Sequence, residues 1–514
     1  MSNLAKSAFW LMVVTMLAKV LGFGREIVLG YFYGTSAYSD VYITAMNIPL
    51  VVFASIGVAL STTFIPLYHE ALENGGQKRA LKFSNNIMCI VVILSLILAA
   101  LGYIFAEPLV KLFAISFTGV KLALTIKFVR IMILGLVFIG LSNIMTAYLQ
   151  IQGNFTIPGM ISLPNNIVII ASMILSSTTG HIEILAIGSL IGMAVQFLFQ
   201  VPFAIKKGYR FNLVIDFKDK YLKKMIWLVL PVFIGVAVNQ VNSMVDRSLA
   251  SGLGDGVITA LNNANKLNGF VMGLFIVSIG AVIYPTLAKL STENNEEKFA
   301  ESVARSVNCV NLLVLPISVG AMVLAIPVVR VLFQRGAFDA RSTSLTSTAL
   351  VFYSVGMVGF GLRDILGKVF YSLKDTKTPM INGVIAMVLN VILNIALVKV
   401  MGYGGLALAT SLSAIICILL LFASLKKKIG YYGQDKIKIT FIKSLIASLC
   451  MGVVTYFVYK FFSGMLGLGF IKEAIALGLS IGAGAIVYAI LVILLKVEEI
   501  DMLTSMVNKK LKRA

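Results

Sequence analysis

Four charged side chains stand where charge is costly. The stretch MLAKVLGFGREIVLGYFYGTSAYSD (residues 16–40) carries Lys19, Arg25 and Glu26 inside the first long apolar segment, and Asp40 just beyond it. A charge at the centre of a bilayer helix costs roughly 2.5–3.5 kcal/mol, so charges kept at that depth face a bundle interior or a wet cavity. Positions six apart fall about 120° apart on an ideal helix, so Lys19 and Arg25 would not share a face. Gly22 and Gly24 lie between them, where a helix can bend. The expectation is a bent segment that turns several of its charges toward a central cavity.

Basic residues recur at the head of the second half, as Arg247 and Lys266. Lys266 lies in LNNANKLNGFVMG, where Asn262 is its i, i+4 neighbour on one helix face and Gly269 and Gly273 leave room beside it. Arginine offers a planar fork and lysine a point charge, and both suit phosphate oxygens. Four such cations could converge on one polyanion. The alternative is that each snorkels or pairs with a local acid, for which Glu26, Asp40 and Asp246 are at hand. Asp40 has two readings of its own: a cap for the second span at Ser39–Asp40, or a partner for a cation in an outer gate. A further set offers oxygens only. Asn239, Asn242 and Asp246 make a polar stripe, Asn390 and Asn394 stand four apart, and Thr410 follows. Such a set suits a small hard cation; ordinary interhelical hydrogen bonding is the other reading.

The elements that must position these residues are membrane spans. Hydrophobic residues make up 59% of the chain and charged ones 13%, against about half and a quarter in soluble domains. Apolar runs of spanning length recur from end to end. The fold expected is an all-α polytopic membrane protein of about fourteen helices, near 7–33, 41–68, 84–106, 122–149, 157–178, 183–204, 225–250, 258–288, 303–325, 344–371, 380–400, 404–425, 440–461 and 473–496. The amphipathic pieces EPLVKLF and IPVVRVLFQRGAF read as interfacial helices.

The net charge of +21 does not point to nucleic acid, because it collects in a few short connections and at the C-terminus. One side takes Lys6, Lys78, Arg79 and Lys82, the run from Lys206 to Lys224, Lys374 and Lys377, the run from Lys426 to Lys438, and the tail Lys509 to Arg513. The other has scattered residues such as Lys111 and Arg330. The positive-inside rule then puts both termini in the cytoplasm. No cleavable signal is expected at the N-terminus. Cys89, Cys309, Cys417 and Cys450 read as small buried apolar residues, and His69 and His181 are too far apart in sequence to suggest a metal centre. Clustered acids or a histidine suited to a transferase are not found, so an enzyme is not expected.

The chain repeats itself. FIPLYHEAL with Pro66 matches IYPTLAKLS with Pro285, and AEPLVKLF with Pro108 matches AIPVVRVLF with Pro327. Both pairs have one offset, since 285 − 66 = 327 − 108 = 219. The two prolines at 66 and 285 are expected to close their spans. Two six-span halves in the same orientation follow, read as lobes over 1–215 and 216–428, with an appended hairpin and basic tail over 429–514.

KVLGFGREIVLGYFYG with its following Asp, FIPLYHE, and the turn FYSLKDTKTP together resemble the MurJ (MviN) family, lipid II flippases of the MOP exporter superfamily. The resemblance runs over essentially the whole chain. It implies two six-helix lobes in a V around a cationic cavity, a C-terminal hairpin whose groove holds a lipid tail, and a bacterial cytoplasmic-membrane location. It assigns the family's basic positions to Lys19, Arg25 and Lys266, its acids to Glu26 and Asp40, and a sodium site to Asp246, Asn390, Asn394 and Thr410. Two departures stand out: Pro49 is followed by LVVF, with Phe53 where the family often has arginine, and Asn394 stands where an Asp would bind a cation more strongly.

The expected function is movement of the undecaprenyl-diphosphate-linked peptidoglycan precursor, lipid II, from inner to outer leaflet by alternating access, driven by Na+ or the membrane potential and with no other cofactor. A monomer among membrane lipids, beside the cell-wall synthesis machinery, is the expected setting. The rivals are a flippase for another polyprenyl-linked oligosaccharide and a cation-coupled multidrug exporter, the latter disfavoured by a cavity that reads as net basic.

Overall fold

Small residues let the helices approach. In α7 (Ser162–Thr179) and α8 (Ile184–Leu198) the GxxxG of Gly188 and Gly192 is filled by the neighbouring helix. A methyl group on Gly188 would stand 2.1 Å from Ser172, and one on Gly192 would stand 2.6 Å from Asn165. Close backbone approach through small residues is how helices associate where lipid tails are as apolar as leucine. The same device joins α15 (Met357–Ser372) to α17 (Tyr403–Ile429), where Gly356 and Gly359 face Ser411 and Ala414.

The computed structural model describes residues 3–293, 295–467 and 469–499, apart from the side chains of 3–12, 52–56, 58–59, 61 and 230–239. Lys6, Phe53, Asn239 and the basic tail therefore lie outside the described residues or side chains. No strand occurs among the described residues. The chain divides into two compact units, Met1–Thr259 with Arg335–Phe338, and Ala260–Gln334 with Asp339–Ala514.

The first unit runs α1 (Asn3–Tyr33), α2 (Ala37–Ile104), α3 (Ala106–Phe113), α4 (Gly119–Met132), α5 (Leu136–Ile151), α6 (Thr156–Met160), then α7 and α8, α9 (Val201–Lys206) and α10 (Lys220–Ala250). α1 is one uninterrupted helix through Gly22 and Gly24. α2 holds two expected spans, separated by the non-helical pair Gly75 and Gly76. Charges on both arms of that break reach the start of α10. Glu70 accepts from Lys224 at 2.6 Å, and Arg79 pairs with buried Asp219 at 2.7 Å.

The second unit begins within α11 (Val257–Thr292) and continues with α12 (Glu296–Val323), α13 (Ala325–Phe333), α14 (Ala340–Val355), α15, α16 (Lys377–Met401), α17, α18 (Gln434–Leu466) and α19 (Phe470–Leu494). α12 is its apolar centre: Val303, Val307, Val310 and Val314 pack with Leu366 and Phe370 of α15 and Leu421 of α17. The terminal pair α18–α19 leans on α12 through Tyr488, whose hydroxyl donates to the Leu312 carbonyl at 2.8 Å. Arg330 of α13 reaches Glu473 of α19 at 2.8 Å. In the turn between α15 and α16, Asp375 accepts from the Thr378 N–H and hydroxyl and from Lys428 at 2.5 Å. The Lys428 hydrogen bond chiefly holds that carboxyl down at about 2.

Among the described residues ten helices are long and apolar enough to cross a membrane, or eleven if the pair α14 and α15, bent by 45°, forms one span. The other three expected spans coincide with α1, the first arm of α2 and α10, which are described only in part and do not enter that count. Pro66 and Pro285 do not close their helices: α2 continues to Gly75 and α11 to Thr292. A proline removes one backbone donor, and these helices carry on past the loss. Cys89 and Cys417 are buried, but Cys309 is half-buried and Cys450 exposed.

Candidate functional site

On α1, the side chain of Arg25 turns inward toward α7. Its Nη1 donates to Asn166 Oδ1 at 3.2 Å and its Nη2 to Glu26 Oε1 at 2.7 Å. Both members of the ion pair are largely buried. The local-acid alternative thus describes Arg25 in this structure, with a buried amide added. Lys19, about 120° round an unbroken helix, is exposed instead. Arg247 and Asp246 are half-buried near the end of α10, in the first unit, and Lys266 is exposed on α11, in the second.

Asp40 accepts four hydrogen bonds. It does not cap α2; that place belongs to Ser36, whose side chain accepts from the Ser39 N–H while Ser39 answers the Ser36 N–H in a capping box. Asp40 is one turn further in and 0% exposed. Its Oδ2 accepts from Lys121 Nζ at 3.1 Å and from the Gly256 N–H at 2.8 Å. Its Oδ1 accepts from the Thr259 N–H at 3.0 Å and the Thr259 hydroxyl at 2.8 Å. The carboxylate therefore caps the first turn of α11 from outside, where N–H groups lack helical partners and negative charge is favoured. Lys121 also reaches Asp255 at 2.7 Å and lies 4.3 Å from the Phe117 ring centroid.

Glycines make this knot close-fitting. Gly256 has φ +86°, and a methyl group there would stand 2.3 Å from the Thr35 carbonyl oxygen. Gly34 and Gly336 also have positive φ and lie against the Ala337 and Tyr31 carbonyl oxygens, and the Ala337 N–H donates to the Tyr31 carbonyl at 2.8 Å. L-residues rarely adopt that region, and here a side chain would also meet backbone.

In the second unit, Asn394 Nδ2 donates to Asn390 Oδ1 at 2.9 Å. Asn390 Nδ2 faces Thr410 and Ser413 hydroxyls at 3.5 and 3.4 Å. Asn390, Asn394 and Thr410 are therefore brought together, as a hydrogen-bonded set. Asp364 and Lys368 form their i, i+4 pair at 2.7 Å. An apolar groove of about 670 Å³ runs along α12, α15, α17 and α18, lined by Leu315, Val319, Leu362, Ile418 and Leu445, with Lys438 among its few polar residues.

Sequence reasoning found Asp40 but missed Lys121, its cation. The only local signal was its position just before the fourth expected span. Asn166 was missed as well; its neighbour pattern SLPNN marks polar residues early in a span, with nothing to say which helix they meet.

A family model described as Lipid II flippase MurJ matches residues 29–477. A probable lipid II flippase MurJ of Vibrio cholerae is 30% identical over 513 residues, covering 97% of this chain and 98% of its own. The lipid II flippase MurJ of Burkholderia cenocepacia is 26% identical over 458 residues, covering 87% and 88%. A solved structure of lipid II flippase MurJ in an inward closed conformation superposes with a TM-score of 0.79 at 28% identity, covering 94% of this chain and 97% of that one. A multidrug resistance MATE family transporter of the MOP superfamily shares the fold, with a TM-score of 0.68 at 16% identity and coverage of 83% and 99%.

Proposed function

The chain belongs to the MurJ family of lipid II flippases, and we propose that it carries lipid II across a bacterial cytoplasmic membrane by alternating access. It is a multi-pass membrane protein of the MOP superfamily fold. The observation that carries the reading is the likeness to lipid II flippases along nearly the whole chain.

The repeat halves 1–215 and 216–428 are the moving parts in this proposal, and both termini are cytoplasmic. Lys19, Arg25, Arg247 and Lys266 contact the diphosphate in the course of the cycle. Arg25 already holds a carboxylate and an amide oxygen on its fork; a diphosphate would compete with Glu26 for the same donors. Asp40, in the first turn of α2, serves as a latch, holding Lys121 and the first turn of α11. The polyprenyl tail lies along the apolar groove beside α18 while the headgroup crosses. Binding must differ between the two states to drive the exchange, because equal affinity shifts nothing. The movement makes and breaks no covalent bond, so the protein acts as a transporter, as a monomer supplied by the cell-wall synthesis machinery.

Reset by Na+ or by the membrane potential completes the cycle. Asp246 is the carboxylate for such an ion, and Asn390, Asn394 and Thr410 are its neutral oxygens. The potential is favoured, since Asn390 Oδ1 is already taken by Asn394. One charge moved through 100 mV is worth about 2.3 kcal/mol.

The test is depletion in the native bacterium with lipid II counted on each leaflet. Outer-leaflet lipid II should fall; an unchanged level, with no second carrier present, rejects the assignment. Complementation by Lys266→Ala should fail while the protein still inserts, and normal growth would remove Lys266 from the site.

A further inference from the structure

One cavity of the first unit has no part in that reading. It is an apolar groove of about 520 Å³ between α2, α5, α8 and α9, lined by Cys89, Leu141, Met145 and Leu198 among others. Its remaining wall is not helical. After α9 the chain runs without regular structure, and Tyr209, Phe211, Leu213 and Ile215 all line the groove. That is the two-residue period of an extended segment. Phe211, Leu213 and Ile215 are 58%, 78% and 50% exposed, and so much apolar surface on a short connection marks a site of contact with something apolar.

The segment is strapped in place. Buried Asn85 of α2 donates to the Arg210 carbonyl at 2.9 Å and accepts from the Tyr209 hydroxyl at 2.7 Å. Asn86 accepts from the Asp216 N–H at 2.8 Å and donates to the Asp216 carbonyl at 2.9 Å. Its amide thus pairs with the backbone as a neighbouring strand would, and the groove wall is held at both ends. Lys206 and Lys207 follow the lining residue Ile205 in the chain, Arg210 follows Tyr209, and all three are exposed. No acid occurs from residue 184 to residue 215. The next, Asp216, accepts from the Lys218 N–H.

An apolar trough with three exposed cations in the chain beside it complements one kind of molecule, an amphiphile with a fatty chain and an anionic head. We propose that this groove binds an anionic phospholipid of the leaflet faced by the lysine-rich connections. One acyl chain lies along Leu141, Met145 and Leu198, and the phosphate sits against Lys206, Lys207 and Arg210. A zwitterionic lipid would fill the trough without using the cations, and a free phosphate would use the cations without filling the trough. The site requires only that the chain resides in a membrane, so it stands or falls apart from lipid II transport.

The full-length protein, with Trp10 and Trp227 replaced by phenylalanine, takes an indole at the groove through Leu198→Trp, a position 55% exposed. A second reporter, Ile205→Trp, covers failure of the first to fold. Each is placed in phosphatidylcholine nanodiscs containing a small fraction of phosphatidylglycerol brominated on one acyl chain. Quenching should saturate at a low fraction of the brominated phosphatidylglycerol and be weak with brominated phosphatidylcholine at that fraction. Lys206→Gln/Lys207→Gln/Arg210→Gln, checked for folding by size exclusion, should raise the half-saturating fraction about tenfold or more. Equal quenching by the two lipids, or no shift in the triple variant, overturns the proposal. So does displacement of the quencher by undecaprenyl phosphate as readily as by unlabelled phosphatidylglycerol, which would make the groove a polyprenyl site.

Discussion

Lys121 holds two acids, and the structure says which one matters. Asp40 is wholly buried, Lys121 is 16% exposed and Asp255 is 60% exposed. Hydrogen bonds to charged groups out of water are worth about 1.5–3 kcal/mol, whereas exposed ion pairs are worth about 0–1 kcal/mol. Asp40→Asn keeps the shape but only one acceptor oxygen, so its NH2 confronts either the Gly256 N–H and Lys121 or the Thr259 donors, and the charge that faces Lys121 is lost. A buried donor left unsatisfied costs about 1–3 kcal/mol, and the single variant should lose an amount of that order, because Lys121 keeps Asp255. The informative quantity is the coupling in a double-mutant cycle. Asp40→Asn with Lys121→Gln should couple by about 2 kcal/mol, and Asp255→Asn with Lys121→Gln by no more than about 0.5 kcal/mol. Reversible unfolding of the purified protein in mixed sodium dodecyl sulfate and maltoside micelles measures both. A coupling near zero for Asp40, or a larger one for Asp255, would refute the burial argument.

Arg25→Ala should abolish complementation with normal insertion, while Glu26→Gln, which frees the fork without removing it, should keep the cation and lose less; the two are compared by growth on depletion. Gly256→Ala should cost about 1–2 kcal/mol in backbone strain and more from its approach to Thr35, whereas Gly254→Ala, with φ +112° and open space, should show the strain alone; thermal midpoints separate them. Asp375 has its pKa lowered to about 2, below an unfolded value near 3.9. Its contribution to stability is therefore present above about pH 4 and lost as pH falls through about 2. Asp375→Asn should remove that part of the acid dependence in a pH series of melting curves.

The spans were legible because bilayer length and apolarity are read residue by residue. The short amphipathic helices α3 and α13 and the Asp364–Lys368 pair are local patterns and were legible for the same reason. What failed was longer in range. Nothing near residue 121 announces an acid 81 positions earlier, and nothing near Asp40 announces the amides of residues 256 and 259. The capping role expected at Ser39–Asp40 belongs to Ser36, because a capping box uses the serine three residues before Ser39. Gly22 and Gly24 do not interrupt α1, since glycine permits a break and packing decides whether one occurs. Arg25 stands out in the sequence as a charge inside a span, but only the structure shows its fork divided between Glu26 and an amide on α7.

The glycine pair at 75–76 gives α2 a joint, and the start of α10 is pinned to both of its arms, to Glu70 on one side and Arg79 on the other. A joint bridged in this way cannot swing by itself. Flexing it would have to drag the head of α10 along or let go of one clasp, and the exposed Lys224 clasp is the weaker. The elbow and the helix beside it would then move as a linkage, with Arg79 and Asp219 as its pivot.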